Sequence, residues 1–166
     1  MKAILVVATL LLTLILSTIL ADDTQSRFLI RHAEKQSDGS RNPPLTKVGI
    51  QRAINLATLL ENKSIVTVFS SNYKRTLETA EPLSKLLGIK TTIYDPGKLR
   101  EFAKQLKTTQ GNVLVVGHSN TTPELVDLLG GSSGKAIEES EYGRLYQLNI
   151  INGKVVTTVS MIEPKQ

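Results

Sequence analysis

Hydrophobic residues follow two spacings along this chain of 166 residues. Short apolar runs predict strands, and apolar residues repeated every three or four positions predict helices. The predicted strands cover residues 27–30, 65–69, 89–94 and 112–117. The predicted helices cover residues 46–62, 73–87, 98–107 and 121–129. Two further strands, 144–150 and 154–160, flank Asn152-Gly153, a dipeptide typical of a tight β-hairpin turn.

The first predicted helix shows its pattern most clearly. Thr46 is placed to cap its N-terminus. The apolar face is expected to consist of Ile50, Ala53, Ile54, Ala57 and Leu60. The residues expected to point away from that face are Gln51, Arg52, Asn55 and Glu61. The second helix is expected to end at Gly88, because glycine readily takes the left-handed conformation that terminates helices.

This alternation of strands and helices predicts an α/β fold. We expect a three-layer α/β/α sandwich with a mainly parallel central sheet, closed by a C-terminal antiparallel hairpin. In such sheets ligands bind at the carboxyl ends of the strands. His32 follows the first predicted strand and His118 follows the fourth, so both histidines are placed where chemistry is expected.

The first 21 residues read as a leader. Lys2 precedes residues 3–21, which contain only apolar and hydroxyl side chains, and Asp22-Asp23 ends the stretch. This pattern is typical of a signal peptide, although Ile19 stands where a small residue is preferred before a cleavage point at Asp22. An uncleaved N-terminal anchor is the alternative, and the protein would contact a membrane only in that case. Residues 22–166 are then one domain, exported to the periplasm or the extracellular space.

Composition narrows the chemistry. The chain has no cysteine, which excludes disulfides, thiolate nucleophiles and cysteine-bound zinc. The formal net charge is +5, a mild excess that suits an anionic substrate. Aromatic residues make up 4% of the chain and no basic run interleaves with them, so we expect no nucleic-acid partner. The two histidines lie far apart in the sequence without ligand spacing, so neither a metal nor another cofactor is expected.

Four motifs occur in order after the leader. They are Arg31-His32-Ala33-Glu34, Pro44-Leu45-Thr46, Ser70-Ser71 followed by Arg75-Thr76, and Gly117-His118-Ser119-Asn120. Together they resemble the histidine phosphatase superfamily. The resemblance is to its phosphoglycerate-mutase-like branch, in the small form of the short phosphohistidine phosphatases. It covers nearly all of the chain after the leader, and the elements come in the same order.

The resemblance implies a metal-independent phosphatase that works through a phosphohistidine on His32. A neutral imidazole is a good nucleophile near neutral pH, which agrees with that role. A planar guanidinium group can donate two parallel hydrogen bonds to the oxygens of one phosphate, and this is the role expected of Arg31 and Arg75. His118, where protonated, would add a third positive donor. A phosphomutase with the same pocket and a non-catalytic phosphate-binding surface module are the alternatives.

Two positions depart from the family pattern. The usual glycine after the first histidine is Ala33, and the segment before the second histidine, which often carries the proton donor, is short. Asp95 is the first candidate for that acid because it follows the third strand. Glu101 and Glu124 are weaker candidates, since Glu101 falls on a helix and Glu124 completes a capping-box spacing.

The dipeptide after His118 has two readings. Ser119 and Asn120 could bind substrate through a backbone N–H and an amide, or they could simply form the turn before the last helix. The expected partner is a small phosphorylated substrate, and its identity is open.

Overall fold

The computed structural model describes residues 25–164, so the predicted leader lies outside the described residues. In this range the strands are β1 (Gln25–Arg31), β2 (Ile65–Ser71), β3 (Thr92–Tyr94), β4 (Asn112–Gly117), β5 (Arg144–Ile151) and β6 (Lys154–Met161). The helices are α1 (Lys47–Leu60), α2 (Lys74–Leu87), α3 (Leu99–Thr108) and α4 (Thr121–Leu128). Within residues 25–164 no helix is long and apolar enough to cross a membrane.

The six strands form one sheet in the order β3-β2-β4-β1-β5-β6. The first four of these run parallel to their neighbours, with Leu29 of β1 opposite Val115 of β4. Strand β5 runs antiparallel to β1, and β5 and β6 form an antiparallel hairpin. The predicted mainly parallel sheet with a C-terminal hairpin is therefore confirmed.

Helices cover both faces of the sheet because the central strands bury apolar side chains on both sides. One core cluster joins Phe28 and Leu114 of the sheet to Leu56 of α1 and Leu83 of α2. The other joins Leu29 to Phe102 of α3 and to α4. Phe28 and Leu29 are neighbours in β1 and point to opposite faces, as the pleat of a strand requires. The predicted three-layer architecture follows from this alternation.

Helix α1 buries Ala53, Ala57 and Leu60 as predicted, but its buried face is shifted around the helix from the predicted one. Its buried residues are Gly49, Arg52, Ala53, Leu56, Ala57 and Leu60. Ile50 and Ile54, expected to be inside, are exposed, and Arg52, expected outside, is buried. The reason is an ion pair, because Arg52 Nη2 lies 2.6 Å from Glu34 Oε1 and Arg52 also donates to the Ile162 carbonyl. A buried arginine that is fully paired can take a core-facing position that its charge alone would forbid.

Helix α2 ends as predicted, and this shortens the strand that follows. Gly88 has a left-handed backbone with φ of 66°, and the Ile89 N–H donates to the Ser84 carbonyl. Thr91 is held against Ser84 through their hydroxyl groups, 2.7 Å apart. Residues 89–91 therefore complete the helix end instead of pairing with β2, and β3 has three residues rather than the six predicted.

Candidate active site

The carboxyl ends of the parallel strands open into a cavity of about 510 Å³. Its lining comes from the end of β1, the starts of α2 and α4, and the segments that follow β1, β3 and β4 and precede β5. The lining residues are Arg31, His32, Lys35, Tyr73, Arg75, Pro96, Gly97, His118, Ser119, Asn120, Thr121 and Glu139. The structure thus brings together six residues that the sequence singled out, although His32 and His118 belong to distant parts of the chain.

His32 is held in one tautomer at the end of β1. Its side chain is 3% exposed, and Nδ1 lies 2.7 Å from the carbonyl oxygen of Ala33. Because that carbonyl can only accept, Nδ1 carries the proton and Nε2 keeps a free lone pair. Burial, and then the nearby guanidinium groups of Arg31 and Arg75, lower the pKa of His32 to about 3. The imidazole is therefore neutral and nucleophilic at neutral pH.

His118 is positioned by its neighbours at the end of β4. Its backbone N–H donates to Thr121 Oγ1 at 3.1 Å. A side chain could not replace Gly117, since a Cβ there would lie 2.8 Å from the Tyr94 hydroxyl and 2.9 Å from Thr122 Oγ1. Close packing of β4 against the start of α4 therefore fixes the backbone from which His118 projects.

A chain of hydroxyl groups orients the His118 ring. Nε2 lies 2.9 Å from Ser71 Oγ, and the Ser71 hydroxyl donates to Thr76 Oγ1 at 3.1 Å. Ser71 Oγ therefore accepts from Nε2–H, which leaves the Nδ1 lone pair facing Arg75 Nη2 at 3.5 Å. Burial first, and then Arg75 and Arg31, lower the pKa of His118 to about 4. In this state His118 is neutral rather than a third cation.

Two arginines and Lys35 supply the positive charge of the site, and Arg31 is the more firmly held of the arginines. It is 1% exposed, and Nη1 donates to the carbonyl oxygens of Glu138 at 2.8 Å, Glu139 at 3.1 Å and Glu141 at 2.7 Å. Nη2 bonds Glu139 Oε2 at 2.9 Å, and the guanidinium carbon lies 4.3 Å from the centre of the Tyr142 ring. The loop before β5 therefore encloses one edge of this guanidinium.

Arg75 reaches the cavity from the first turn of α2. Its guanidinium carbon lies 4.5 Å from the centre of the Tyr73 ring, a cation–π contact. The Nε atoms of Arg75 and of Arg31 are both buried, and neither has a hydrogen-bond partner in the part of the chain that the structure describes. Buried donors without partners are costly, and an oxyanion in the cavity would supply acceptors.

Two helices begin at this cavity. Tyr73 is the N-cap of α2 and Asn120 is the N-cap of α4, and both line the cavity. Ser119, also in the lining, precedes Asn120. Helix N-termini carry partial positive charge and free N–H groups, so they favour anions. The geometry therefore combines two guanidinium groups and two helix N-termini around a pair of neutral imidazoles whose ring centres are 5.6 Å apart.

The predicted proton donors lie outside the lining. Asp95 is exposed and its Oδ1 accepts the Gly97 N–H at 2.9 Å, so Pro96 and Gly97 face the cavity in its place. Glu101 on α3 and Glu124 on α4 are both exposed. The capping box expected at Glu124 does not form, because the helix N-cap is Asn120 and the Thr121 hydroxyl accepts from His118 instead.

Four residues of the site carried no recognised signal in the sequence. Tyr73 could have been noticed, because an aromatic ring two positions before an arginine can stack on it. Lys35 and Glu139, whose charged groups are 3.8 Å apart, and Tyr142 lie in loops without periodicity. Their place in the site depends on how the loop before β5 wraps around Arg31, which spacing does not encode.

The alanine after His32 fits the structure. Ala33 is buried in a small apolar cluster with Leu45 and Ala53. Its N–H donates to Thr79 Oγ1 at 3.0 Å. Its methyl group therefore packs against α1 and the segment before it.

Residues 25–164 contain no group of three or more His, Asp or Glu side chains that could hold a metal ion.

Comparison with known proteins agrees with this geometry. The model of the histidine phosphatase superfamily (branch 1) matches residues 27–104, a range that includes Arg31, His32 and Arg75. A "Probable phosphoglycerate mutase GpmB" from Yersinia pestis (strain Pestoides F) is 34% identical over 80 residues, which are 45% of this chain and 36% of that protein. The chain thus matches about a third of the length of such curated relatives.

Solved structures share the fold over most of the chain. The protein histidine phosphatase SixA, solved with tungstate, matches with a TM-score of 0.65 and 20% identity, covering 84% of this chain and 97% of that one. The alpha-ribazole phosphatase from Shigella flexneri matches with a TM-score of 0.65 and 17% identity, covering 84% of this chain and 96% of that one. The ordered motifs, the matched family model and the shared fold thus all indicate similarity to the histidine phosphatase superfamily.

Proposed function

We propose that this protein is a phosphatase that hydrolyses a phosphate monoester, or a related phosphoryl compound, through a phosphohistidine on His32. One observation carries the proposal most directly: a buried, neutral imidazole with a free Nε2 lone pair shares a cavity with two guanidinium groups. Nucleophile and charge stabilisation are what phosphoryl transfer requires, and this cavity supplies both.

In the first step the Nε2 lone pair of His32 attacks phosphorus. A P–N bond forms, the P–O bond to the leaving group breaks, and its electron pair stays on the departing oxygen. The hydrogen bond from Nδ1 to the Ala33 carbonyl stabilises the positive charge that the ring acquires. Arg31 and Arg75 face the phosphoryl oxygens, where their positive charge stabilises the negative charge that develops in the transition state.

In the second step a water molecule attacks the phosphorus of phosphohistidine. The P–N bond breaks, its electron pair returns to Nε2, and the proton lost by the water leaves with the phosphate or with solvent. Splitting one displacement into two easier steps is the advantage of covalent catalysis. His118 lies opposite His32, and a bound phosphate dianion would favour its protonated form and so recruit a further donor.

The proposal assigns no side chain as proton donor for the leaving group. Asp95, Glu101 and Glu124 do not line the cavity, and Glu139, which does, forms an ion pair with Arg31. Its carboxylate is thus engaged with the guanidinium instead of standing free beside a leaving group. An activated aryl phosphate, whose leaving group departs unaided, is therefore the substrate with which to test turnover.

A phosphomutase would use the same two histidines, and a relative described as a probable phosphoglycerate mutase makes this the second candidate. A mutase must keep its substrate enclosed while the phosphoryl group returns to another hydroxyl. Between β3 and β4 the described chain has one helix, the ten-residue α3. This leaves little chain for a lid, and the open cavity favours transfer to water.

The decisive experiment combines labelling with substitution. The enzyme mixed with excess substrate and quenched in alkali should carry acid-labile phosphate on His32, and His32→Ala should be folded but inactive. Label on serine, threonine or aspartate, or full activity in the alanine variant, would refute the proposed mechanism. A folded wild-type protein that binds phosphate without turnover would instead indicate a non-catalytic binding module.

The location of the enzyme is a separate proposal, supported by sequence alone. We infer that residues 1–21 direct export, because residues 3–21 lack any charged side chain and follow Lys2. Sequencing the mature N-terminus is the test. Processing near Asp22 would support a cleaved signal peptide, whereas Met1 or Lys2 retained in membranes would indicate an anchor.

A further inference from the structure

A second cavity of about 400 Å³ adjoins the first and shares Lys35 and Arg75 with it. Its other walls come from the segment that ends at Pro43, including Ser37, Ser40 and Arg41. Because two side chains border both cavities, a ligand held in the first can extend into the second without crossing the protein interior.

The charge of this second cavity differs from that of the first. Three cations line it, Lys35, Arg41 and Arg75, and no carboxylate does. Asp38 belongs to the same segment but lies outside the lining, where its exposed Oδ1 accepts the Ser40 N–H at 2.9 Å. Uncompensated positive charge in a concave site raises the local concentration of anions.

Arg41 is the least committed of these cations. Arg75 stacks on Tyr73, and Lys35 lies 3.8 Å from Glu139. Arg41 is exposed and has neither a hydrogen bond nor an ion pair with any part of the chain that the structure describes. Its guanidinium can therefore bind a ligand without breaking an existing contact.

The segment that carries Arg41 is anchored at both ends. Lys35 pairs with Leu45 as an isolated bridge, and the Gln36 N–H donates to the Pro44 carbonyl at 2.9 Å. At the far end Asn42 Oδ1 accepts the N–H of Lys74, at the start of α2, at 2.8 Å. These contacts hold the second cavity open beside the first, which makes it a built feature of the fold.

We propose that this second cavity binds a second anionic group of the substrate, a carboxylate or a phosphate, through Arg41 and Lys35. The inference rests on the proposed phosphatase function and specifies its substrate class. The preferred substrate carries its scissile phosphate and another anion a few bonds apart. Arg75, which borders both cavities, lies between the two anions.

The test uses ligands that cannot be hydrolysed. Phosphonates bearing a carboxylate on a chain of one to four methylene groups are compared by calorimetry with alkylphosphonates of the same length. In the wild-type protein one chain length should bind about fivefold more tightly than its uncharged counterpart, the size expected for partly exposed charge-assisted contacts. If the carboxylate were attracted only by the general positive charge of the surface, carboxylated ligands of every chain length would gain the same affinity.

Two variants complete the experiment. Arg41→Gln should reduce the advantage of the best carboxylated ligand to about twofold or less, since a neutral amide forms no ion pair. Lys63→Gln, at an exposed position before β2 and outside both cavities, removes the same charge and should leave that advantage intact. No preferred length, an advantage retained in Arg41→Gln, or no binding of either series would overturn the proposal.

Failure of the two proposals can be told apart. If the carboxylated ligands show the expected length preference but an aryl phosphate is not hydrolysed, the second-anion site stands and the phosphatase function does not. If the aryl phosphate is hydrolysed but all ligand lengths bind alike, the phosphatase function stands and the second-anion site is refuted.

Discussion

The guanidinium of Arg31 and the carboxylate of Glu139 are bonded at 2.9 Å although one side chain is 1% exposed and the other 72%. The buried partner is a group to which the proposed mechanism assigns phosphate binding. The exposed partner belongs to the loop before β5. Its carboxylate accepts the hydrogen bond from Arg31 Nη2 that a phosphate oxygen could otherwise accept. A substrate phosphate must therefore share this nitrogen with Glu139 or displace it.

Replacing Glu139 with glutamine should strengthen the binding of inorganic phosphate. The amide has no negative charge to compete for Arg31 or to repel the anion, so the inhibition constant for phosphate should fall about three- to tenfold, a change that corresponds to roughly 1 kcal/mol. Competitive inhibition of aryl phosphate hydrolysis measures this constant.

Glu138→Gln is the matched control. Glu138 lies next to Glu139, and it contacts Arg31 through its backbone carbonyl rather than through its carboxylate. The same charge is removed from the same loop, yet phosphate inhibition should change little. Equal strengthening in both variants would mean that general electrostatics, rather than the bond to Arg31, governs anion binding.

Arg75→Lys should lower kcat/KM by about tenfold or more. Lysine keeps the charge but cannot stack on Tyr73 while offering two donors to the phosphate. Arg100→Lys on the exposed side of α3 is the control, and its activity should match that of the wild-type enzyme. Comparable activity of Arg75→Lys and the wild-type enzyme would show that a point charge is sufficient.

Folding stability should decline as the pH falls from about 6.5 to about 4.5. The chain has two histidines, and burial lowers the pKa of His32 to about 3 and that of His118 to about 4. In this range the unfolded chain therefore binds protons that the folded protein does not, and each histidine contributes a slope approaching ~1.4 kcal/mol per pH unit.

Urea unfolding at a series of pH values measures this dependence. Stability should be fully present above pH 6.5, where both histidines are neutral in either state, and His32→Asn should flatten the slope below it. The pKa of Glu34 is lowered beside Arg52, so the stability that this carboxylate contributes is lost only at more acid pH. Its titration therefore does not mask the effect of the histidines between pH 6.5 and 4.5. A wild-type protein equally stable at pH 6.5 and 4.5 would show that the folded histidines accept protons freely.

Activity should persist after incubation with a strong chelator. Arg31 and Arg75 provide the positive charge that a metal would otherwise supply at the phosphoryl group. Aryl phosphate hydrolysis before and after chelation is the measurement. Loss of activity that zinc or magnesium restores would contradict the proposed mechanism.

The sequence predicted the order of elements well because each strand and helix carries its own periodic pattern. It predicted the meeting of His32 and His118 for a topological reason, since residues that follow parallel strands share one edge of the sheet. The ends of β3 and the buried face of α1 were less well predicted. The first depended on how Gly88 ends a helix, and the second on an ion pair between Arg52 and Glu34.

The site was predicted in its motifs but not in its loops. Arg31 and Arg75 could be placed because they adjoin regular elements. Glu139 and Tyr142 could not, because a loop without periodicity gives no indication of what it will contact. The protonation state of His118 could not be predicted either. Its pKa is set by burial and by the nearby Arg75 and Arg31, and the sequence shows neither the burial nor the proximity.

Arg31 bonds backbone carbonyls that lie up to 110 residues further along the chain. This makes the site dependent on residues that are synthesised long after Arg31 itself. Until residues 138–141 have been made on the ribosome, these partners of Arg31 do not yet exist, so its guanidinium has no fixed orientation and the cavity has no wall on that side. Contacts between such distant residues also form late and slowly during folding. The proposed phosphate site is therefore completed only after the loop before β5 has been made, and a fragment that ends before residue 138 should lack phosphatase activity.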